Sequence, residues 1–118
     1  MSAIEPAVLV IDDLTAKAGQ GEALLRAYLE RYAPGARARG MTLLHQIVSP
    51  AYWLPDASNR LLFVWSVAGA AGAWGMKHAG RQDPAVSAWW QVEAPELVES
   101  RTRSIGCEAS DLASLAVV

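Results

Sequence analysis

Residues 61–90 read LLFVWSVAGAAGAWGMKHAGRQDPAVSAWW and hold four of the five tryptophans, one of the two histidines and four of the nine glycines of the 118-residue chain. The opening LLFVWSV is rich in β-branched, aromatic and aliphatic side chains. It predicts a strand over 61–67 with Leu61, Phe63 and Trp65 on one face and Leu62, Val64 and Ser66 on the other. AGAAGAWGMKHAG follows with no turn signal and reads as a helix, with Trp74 and His78 one turn apart on a shared face. Its glycines and alanines predict a backbone that approaches the sheet closely, at a cost in intrinsic helix stability. Asp83 is a good N-cap and Pro84 a good first helical residue, so a second helical piece starts there and carries Trp89 and Trp90.

The flanks fit around this unit. Residues 41–49 form a second strand, with Leu43, His45 and Ile47 on one side and Thr42, Leu44, Gln46 and Val48 on the other. The connection over 50–59, rich in Pro, Asp, Ser and Asn, holds Tyr52 and Trp53 and joins strands of matching length into a hairpin. Further upstream, AVLVIDDL over 7–14 is a continuous apolar run that predicts a strand buried on both faces. Gly19 and Gly21 break it, and Leu24, Leu25, Tyr28, Leu29 and Tyr32 then recur at helical spacing. Pro34 either kinks that helix or starts a last turn to Arg39, and Gly40 closes it. Downstream, Pro95 ends the second helical region, and 97–107 alternates as a fourth strand with Arg101, Arg103 and Ile105 on one side. Residues 1–6 read as a short leader, and 110–118 as a short helix or an arm capped by Ser110. The order strand, helix, strand, strand, helix, strand predicts an α+β, ferredoxin-like βαββαβ fold with a four-stranded antiparallel sheet. It forms one domain over 1–118, with a core over 7–107 and a C-terminal tail over 108–118.

Hydrophobic residues make up 53% of the chain and charged ones 19%, more apolar surface than so small a domain can hide, so part of it is expected at a homodimer interface or in a ligand cavity. A net charge of −2 with scattered basic residues argues against nucleic acid as a partner. The single cysteine, Cys107, excludes an intramolecular disulfide and a Cys-rich zinc site and suits a reducing compartment. With no signal-like start and no long apolar run, the expectation is a cytoplasmic protein that engages no membrane.

LLFVW running into an Ala/Gly-rich helix, then DPAVSAWW, then a closing LVESRTR strand, with the first helix breaking at YAPGARARG before GMTLLHQIV, resembles the dimeric α+β barrel superfamily. Within it the likeness is to the NIPSNAP-like and antibiotic-biosynthesis-monooxygenase-like groups. The resemblance implies that two four-stranded sheets from two subunits pack into a barrel, with a cavity kept between each sheet and its helices. Members of the superfamily include cofactor-independent monooxygenases on phenolic substrates, small-molecule isomerases, haem-degrading oxygenases and many of unknown activity, so the resemblance leaves the reaction open. The haem-degrading members resemble this chain at Trp65 and His78, but they carry an asparagine where Asp12 or Asp13 stands here and a shorter spacing than the thirteen residues between that Trp and His.

His45, mid-strand among apolar neighbours, reads either as a general base or as a hydrogen-bonded core or interface histidine. His78 reads as a second candidate base or as a helix-end histidine. Trp65 and Trp74 are candidate walls of a substrate cavity, Tyr52 and Trp53 a lid or a loop anchor, and one of Trp89 and Trp90 a core residue while its neighbour lines the cavity mouth. Gln46 and Arg103 are candidate stabilisers of a substrate anion. Arg101 and Arg103, on one strand face, either bind a carboxylate or enolate or form ion pairs with Asp12 or Asp13. Together these residues predict a cofactor-independent monooxygenase or isomerase that acts on an apolar or aromatic small molecule, with His45 or His78 as base and Trp65, Trp74, Tyr52, Trp53, Trp89, Gln46 and Arg103 at the substrate. The alternative is a non-catalytic dimer that binds a hydrophobic ligand or a partner. No metal and no cofactor are expected, because the histidines and acids lack ligand spacing and no phosphate loop follows the first strand.

Overall fold

The structure, a computed structural model, describes residues 6–116. Strand β1 (Ala7–Ala16) leads through Gly19 into helix α1 (Gly21–Ala27), a π-helical turn (Tyr28–Tyr32) and α2 (Ala33–Ala38). The hairpin strands β2 (Thr42–Ser49) and β3 (Arg60–Ala68) follow. Helix α3 (Gly69–Gln82), α4 (Pro84–Ala88), a second π-helical turn (Trp89–Glu93) and a 3-10 turn (Ala94–Glu96) lead to β4 (Val98–Gly106). The sheet order is β2-β3-β1-β4 with every pair antiparallel, which is the ferredoxin-like α+β fold. A 3-10 turn (Ala109–Asp111) and a short α5 (Leu112–Ala116) form the tail, and Leu115 packs back on the core. Ser110 lies inside that turn and so does not cap the helix. Most of the expected leader and the last two residues of the tail lie outside the described residues.

One sheet face carries the core. Val8, Val10, Leu14 and Ala16 of β1 and Leu61, Phe63, Trp65 and Val67 of β3 are buried there against Leu24, Tyr28, Tyr32, Met76 and Trp89 from the helices. The other face bears Leu9, Ile11, Leu62 and Val64, which are half-buried, so β1 is not buried on both faces in the single chain. Its strict alternation of buried and half-buried positions is that of a sheet with helices on one side.

Strand β2 departs from simple alternation. Its pairing with β3 shifts between Leu43 and His45, so that Leu43 stands opposite Trp65 and His45 opposite Val64. A bulge at Leu44 therefore puts Leu43, Gln46 and Val48 on the helix face and His45 and Ile47 on the open face. The expected grouping of Leu43 with His45 is corrected for this reason: one inserted residue reverses the facing of all that precedes it.

The two π turns occupy matching places in the two βαβ halves, and each is followed by Ala-Pro. Ala33 donates its N–H to the Tyr28 carbonyl and Ala94 to the Trp89 carbonyl, five residues back. The next residue in each case, Pro34 or Pro95, has no N–H to give. Each widened turn presents two aromatics inward: Tyr28 and Tyr32 from the first, Trp89 and Trp90 from the second. Contrary to expectation, Gly72, Gly75 and Gly80 of α3 do not force a close approach to the sheet. A β-carbon at Gly72 meets only ordinary contacts at 3.8 Å, and one at Gly75 meets nothing within 4 Å.

Candidate functional site

Asp12 stands in mid-β1 on the helix face, opposite Phe63 on one side and Arg103 on the other, and is 1% exposed. Its charge is fully paired. Arg103 donates from Nε to Oδ1 at 2.6 Å and from Nη2 to Oδ2 at 2.8 Å, while the Tyr28 hydroxyl donates to Oδ2 at 2.6 Å. Trp65 Nε1 in turn donates to the Tyr28 hydroxyl at 2.7 Å, and Arg103 Nη2 donates to the Tyr32 hydroxyl at 2.6 Å. The fork-on-carboxylate geometry with a third donor is what a buried ion pair needs to offset its desolvation. Burial opposes the charge of Arg103, but the hydrogen bonds and charge of Asp12 outweigh it and hold the guanidinium firmly protonated. Burial first, and the Asp12 charge second, push the Tyr28 hydroxyl well above the ordinary tyrosine range.

Arg103 is also the inner wall of a pocket of about 430 Å³ between β4 and the α3–α4 region. Arg39, Lys77, Arg81, Arg101 and Arg103 all line it, beside Trp90, Met76, Val86 and Ile105, and no carboxylate among the described residues lies in that lining. Arg101 sits over the Trp90 ring with its guanidinium carbon 4.0 Å from the centroid. Arg39 reaches in from the end of α2, bonds Asp83 at 3.4 Å and Tyr32 at 3.5 Å, and has a side chain 8% exposed. Its Nε–H is buried with no acceptor among the described residues. A second depression of similar size, between α1 and the second π turn, has its arginines matched by Glu30, Glu93 and Glu96 and carries an Arg31–Glu93 ion pair at 3.2 Å. Charge balance therefore separates the two, and only the first is a cationic cleft.

No family model matches the chain, and no curated protein matches it. Solved structures do. A NIPSNAP domain protein from Burkholderia xenovorans superposes with a TM-score of 0.68 at 13% identity, over 87% of this chain and 95% of that one. A NIPSNAP family protein with unknown function from Agrobacterium tumefaciens gives 0.68 at 13% identity, over 91% and 92%. A dimeric ferredoxin-like protein from an uncultured marine organism gives 0.58 at 15% identity, over 89% and 90%. The chain is NIPSNAP-like in fold.

On this NIPSNAP-like frame the residues expected to form one cavity are dispersed. His45 and Ile47 are exposed on the open sheet face, on the far side from the helices. His78 is exposed on α3, with its Nε2 3.3 Å from Gln82 Nε2, and does not line the arginine pocket. Tyr52 is exposed in the hairpin loop, Trp53 is half-buried there, and Gln46 is exposed near the sheet edge. Trp65 and Trp89 are fully buried in the core, so they pack the interior and present no wall to a ligand. Of the candidates, Arg101 and Arg103 line the pocket, and of the tryptophan pair Trp90 stands at it while Trp89 packs in the core. Sequence reasoning missed Arg39, Lys77 and Arg81. Arg39 belongs to the charged end of a helix remote in sequence, and only the docking of α2 beside Asp83 brings it to β4. Among the described residues no group of three or more His, Cys, Asp or Glu is placed to hold a metal ion, and no helix is long and apolar enough to cross a membrane.

Proposed function

We propose that this protein binds a small organic anion in the pocket between β4 and the α3–α4 region. The observation that carries the reading is the buried guanidinium of Arg39, with an unpartnered Nε–H, in a lining of five cations and no carboxylate among the described residues. Asp12 and Asp83 neutralise two of those cations and fix their positions, leaving Lys77, Arg81 and Arg101 to contribute net charge. Guanidiniums held in place before a ligand arrives lose little side-chain entropy on binding it. The apolar floor of Trp90 and Met76 suits the carbon skeleton that carries the anion. A reaction of the cofactor-independent isomerase or monooxygenase type belongs to this proposal only as stabilisation of an anion formed on the ligand, because neither histidine stands at the pocket. Calorimetric titration with acetate, benzoate and inorganic phosphate tests the reading. At least one is expected to bind, more weakly as salt rises, and Arg101→Ala is expected to lose about tenfold in affinity, the size of one charge-assisted hydrogen bond. Binding unchanged in that variant, or no binding of any of the three, counts against it.

The homodimer belongs to the same proposal. Leu9, Ile11, Leu62 and Val64 form an apolar patch on the open face, and Ile47 extends it with 48% of its surface exposed. A second copy packed sheet to sheet would cover this patch, and the dimeric ferredoxin-like neighbour supports the arrangement. A cytoplasmic location is part of the proposal on the strength of the lone cysteine.

A further inference from the structure

The arginine pocket does not end at its cations. Lys77 and Ile105, which line it, also line a smaller depression of about 200 Å³ completed by Val8, Ala73 and Trp74. That depression is almost wholly apolar, with the single charge of Lys77 on the side facing the first pocket. Trp74 is 70% exposed at its rim and Ile105 44%, two large apolar side chains left to water in one place. The Lys77 ammonium sits 5.7 Å from the Trp74 ring centroid, so the cation and the apolar plate are joined at the boundary between the two depressions. An exposed Trp and Ile beside a cationic cleft form a surface with two chemistries in series: charge recognition under Arg101 and Arg103, then an apolar channel under Trp74.

Resting on the anion-binding reading, we propose that the ligand is a monocarboxylate with an apolar chain, its carboxylate among Arg39, Arg101 and Arg103 and its chain running past Ile105 onto Trp74. Neither part suffices alone. A small polar anion leaves Trp74 and Ile105 in water, and a neutral hydrocarbon leaves the charge of Lys77, Arg81 and Arg101 unmatched. A chain that leaves the first pocket at Lys77 covers the apolar plates and gives the carboxylate its partners at once. Each methylene transferred from water into such a channel strengthens binding about fourfold.

The test is the affinity of straight-chain carboxylates from acetate to octanoate, with the matching primary alcohols, measured by calorimetry or by displacement of a bound reporter. Affinity is expected to rise about fourfold per methylene until the channel is filled, then level off. Trp74→Ala is expected to flatten this dependence while leaving acetate binding unchanged, and Trp74→Phe to restore most of it. Since Trp74 is exposed, these variants are expected to keep the far-ultraviolet circular dichroism of the parent. Carboxylate affinity independent of chain length, or a dependence unaltered in Trp74→Ala, overturns the chain assignment and leaves the anion site standing. Alcohols that bind as well as the matching acids overturn the carboxylate assignment and the anion reading with it. Absence of binding by every acid overturns the carboxylate assignment, and the anion reading with it where benzoate and inorganic phosphate also fail to bind.

Discussion

Asp12 is where the fold and the candidate site meet. A carboxylate that deep is tolerable only because Arg103, Tyr28 and the backbone geometry of two neighbouring strands supply its partners. Removing one partner should therefore cost far more than the pair contributes. Arg103→Met leaves Asp12 charged and half-deserted, and a loss of about 3 kcal/mol in urea denaturation is expected. The figure is at the low end for a buried pair because 26% of the Arg103 side chain still reaches solvent. Asp12→Asn combined with Arg103→Met should be more stable than Arg103→Met alone, since no orphaned charge remains; additive losses would show that the two groups do not act as a pair. Tyr28 gives a pH signature of the same network. Its folded pKa is raised, by burial first and by Asp12 second, so its neutral form is favoured in the native state. The stability it contributes is fully present below the unfolded value of about 10 and falls as pH rises above that, where the unfolded chain ionises freely. Tyr28→Phe should lose about 1–3 kcal/mol at neutral pH, by leaving Asp12 and Trp65 short of a partner. Its stability should also decline less steeply than the parent's between about pH 10 and 12, the range in which a free tyrosine ionises. A decline of equal slope would locate the alkaline transition in other groups.

The strands and helices differ in how much of their form is legible in residue order. Alternation in β1 and β3, the N-cap at Asp83 and the breaks at Gly19 and Gly40 are local, and the corresponding elements stand where residue order puts them. The bulge at Leu44 is not local: its cause lies in pairing with β3, and it carries His45 to the sheet face opposite the helices. The π turns are partly legible, since both precede Ala-Pro, but their effect, aiming four aromatics into one core, depends on both helical layers packing together. The pocket is the least legible feature. Arg39 and Arg101 are 62 positions apart in the sequence and meet only through the docking of α2 beside α4 and β4. Helix α3 supports a prediction of its own. Gly75 lies mid-helix, and a β-carbon added there would meet no atom within 4 Å, so it serves neither a close approach nor a left-handed turn. Gly75→Ala should then raise stability by about 1 kcal/mol, the intrinsic helical difference between the two residues, with ligand affinity unchanged. A loss of stability would mean that the α3 face at Gly75 packs against something in the working protein.

At the scale of the molecule, the described residues form a sheet with two faces, of which one is covered by helices. The helix face is closed by a dense aromatic core, in which Tyr28 stacks on Phe63 with centroids 3.7 Å apart. The open face keeps Leu9, Ile11, Leu62 and Val64 half in water, a cost that a second sheet would remove. The apolar surplus in the composition thus goes to the aromatic core, to this patch and to Trp74 and Ile105 beside the arginine pocket, and that pocket lies on the helix side of the sheet, away from the patch. It follows that dimerisation and ligand binding should be separable by mutation. Val64 stands at the centre of the patch, between Ile11 and His45 across the sheet. Val64→Glu puts a charge where two sheets would meet. An unpaired charge buried at an interface costs about 2 kcal/mol or more, so the dimer dissociation constant should rise at least about thirtyfold, read by sedimentation velocity across a dilution series. In the separated monomer the charge points to water, and helical content and carboxylate binding should persist. If Val64→Glu sediments as the parent does, whether because the parent is already monomeric or because its dimer uses another surface, the open face is not the interface.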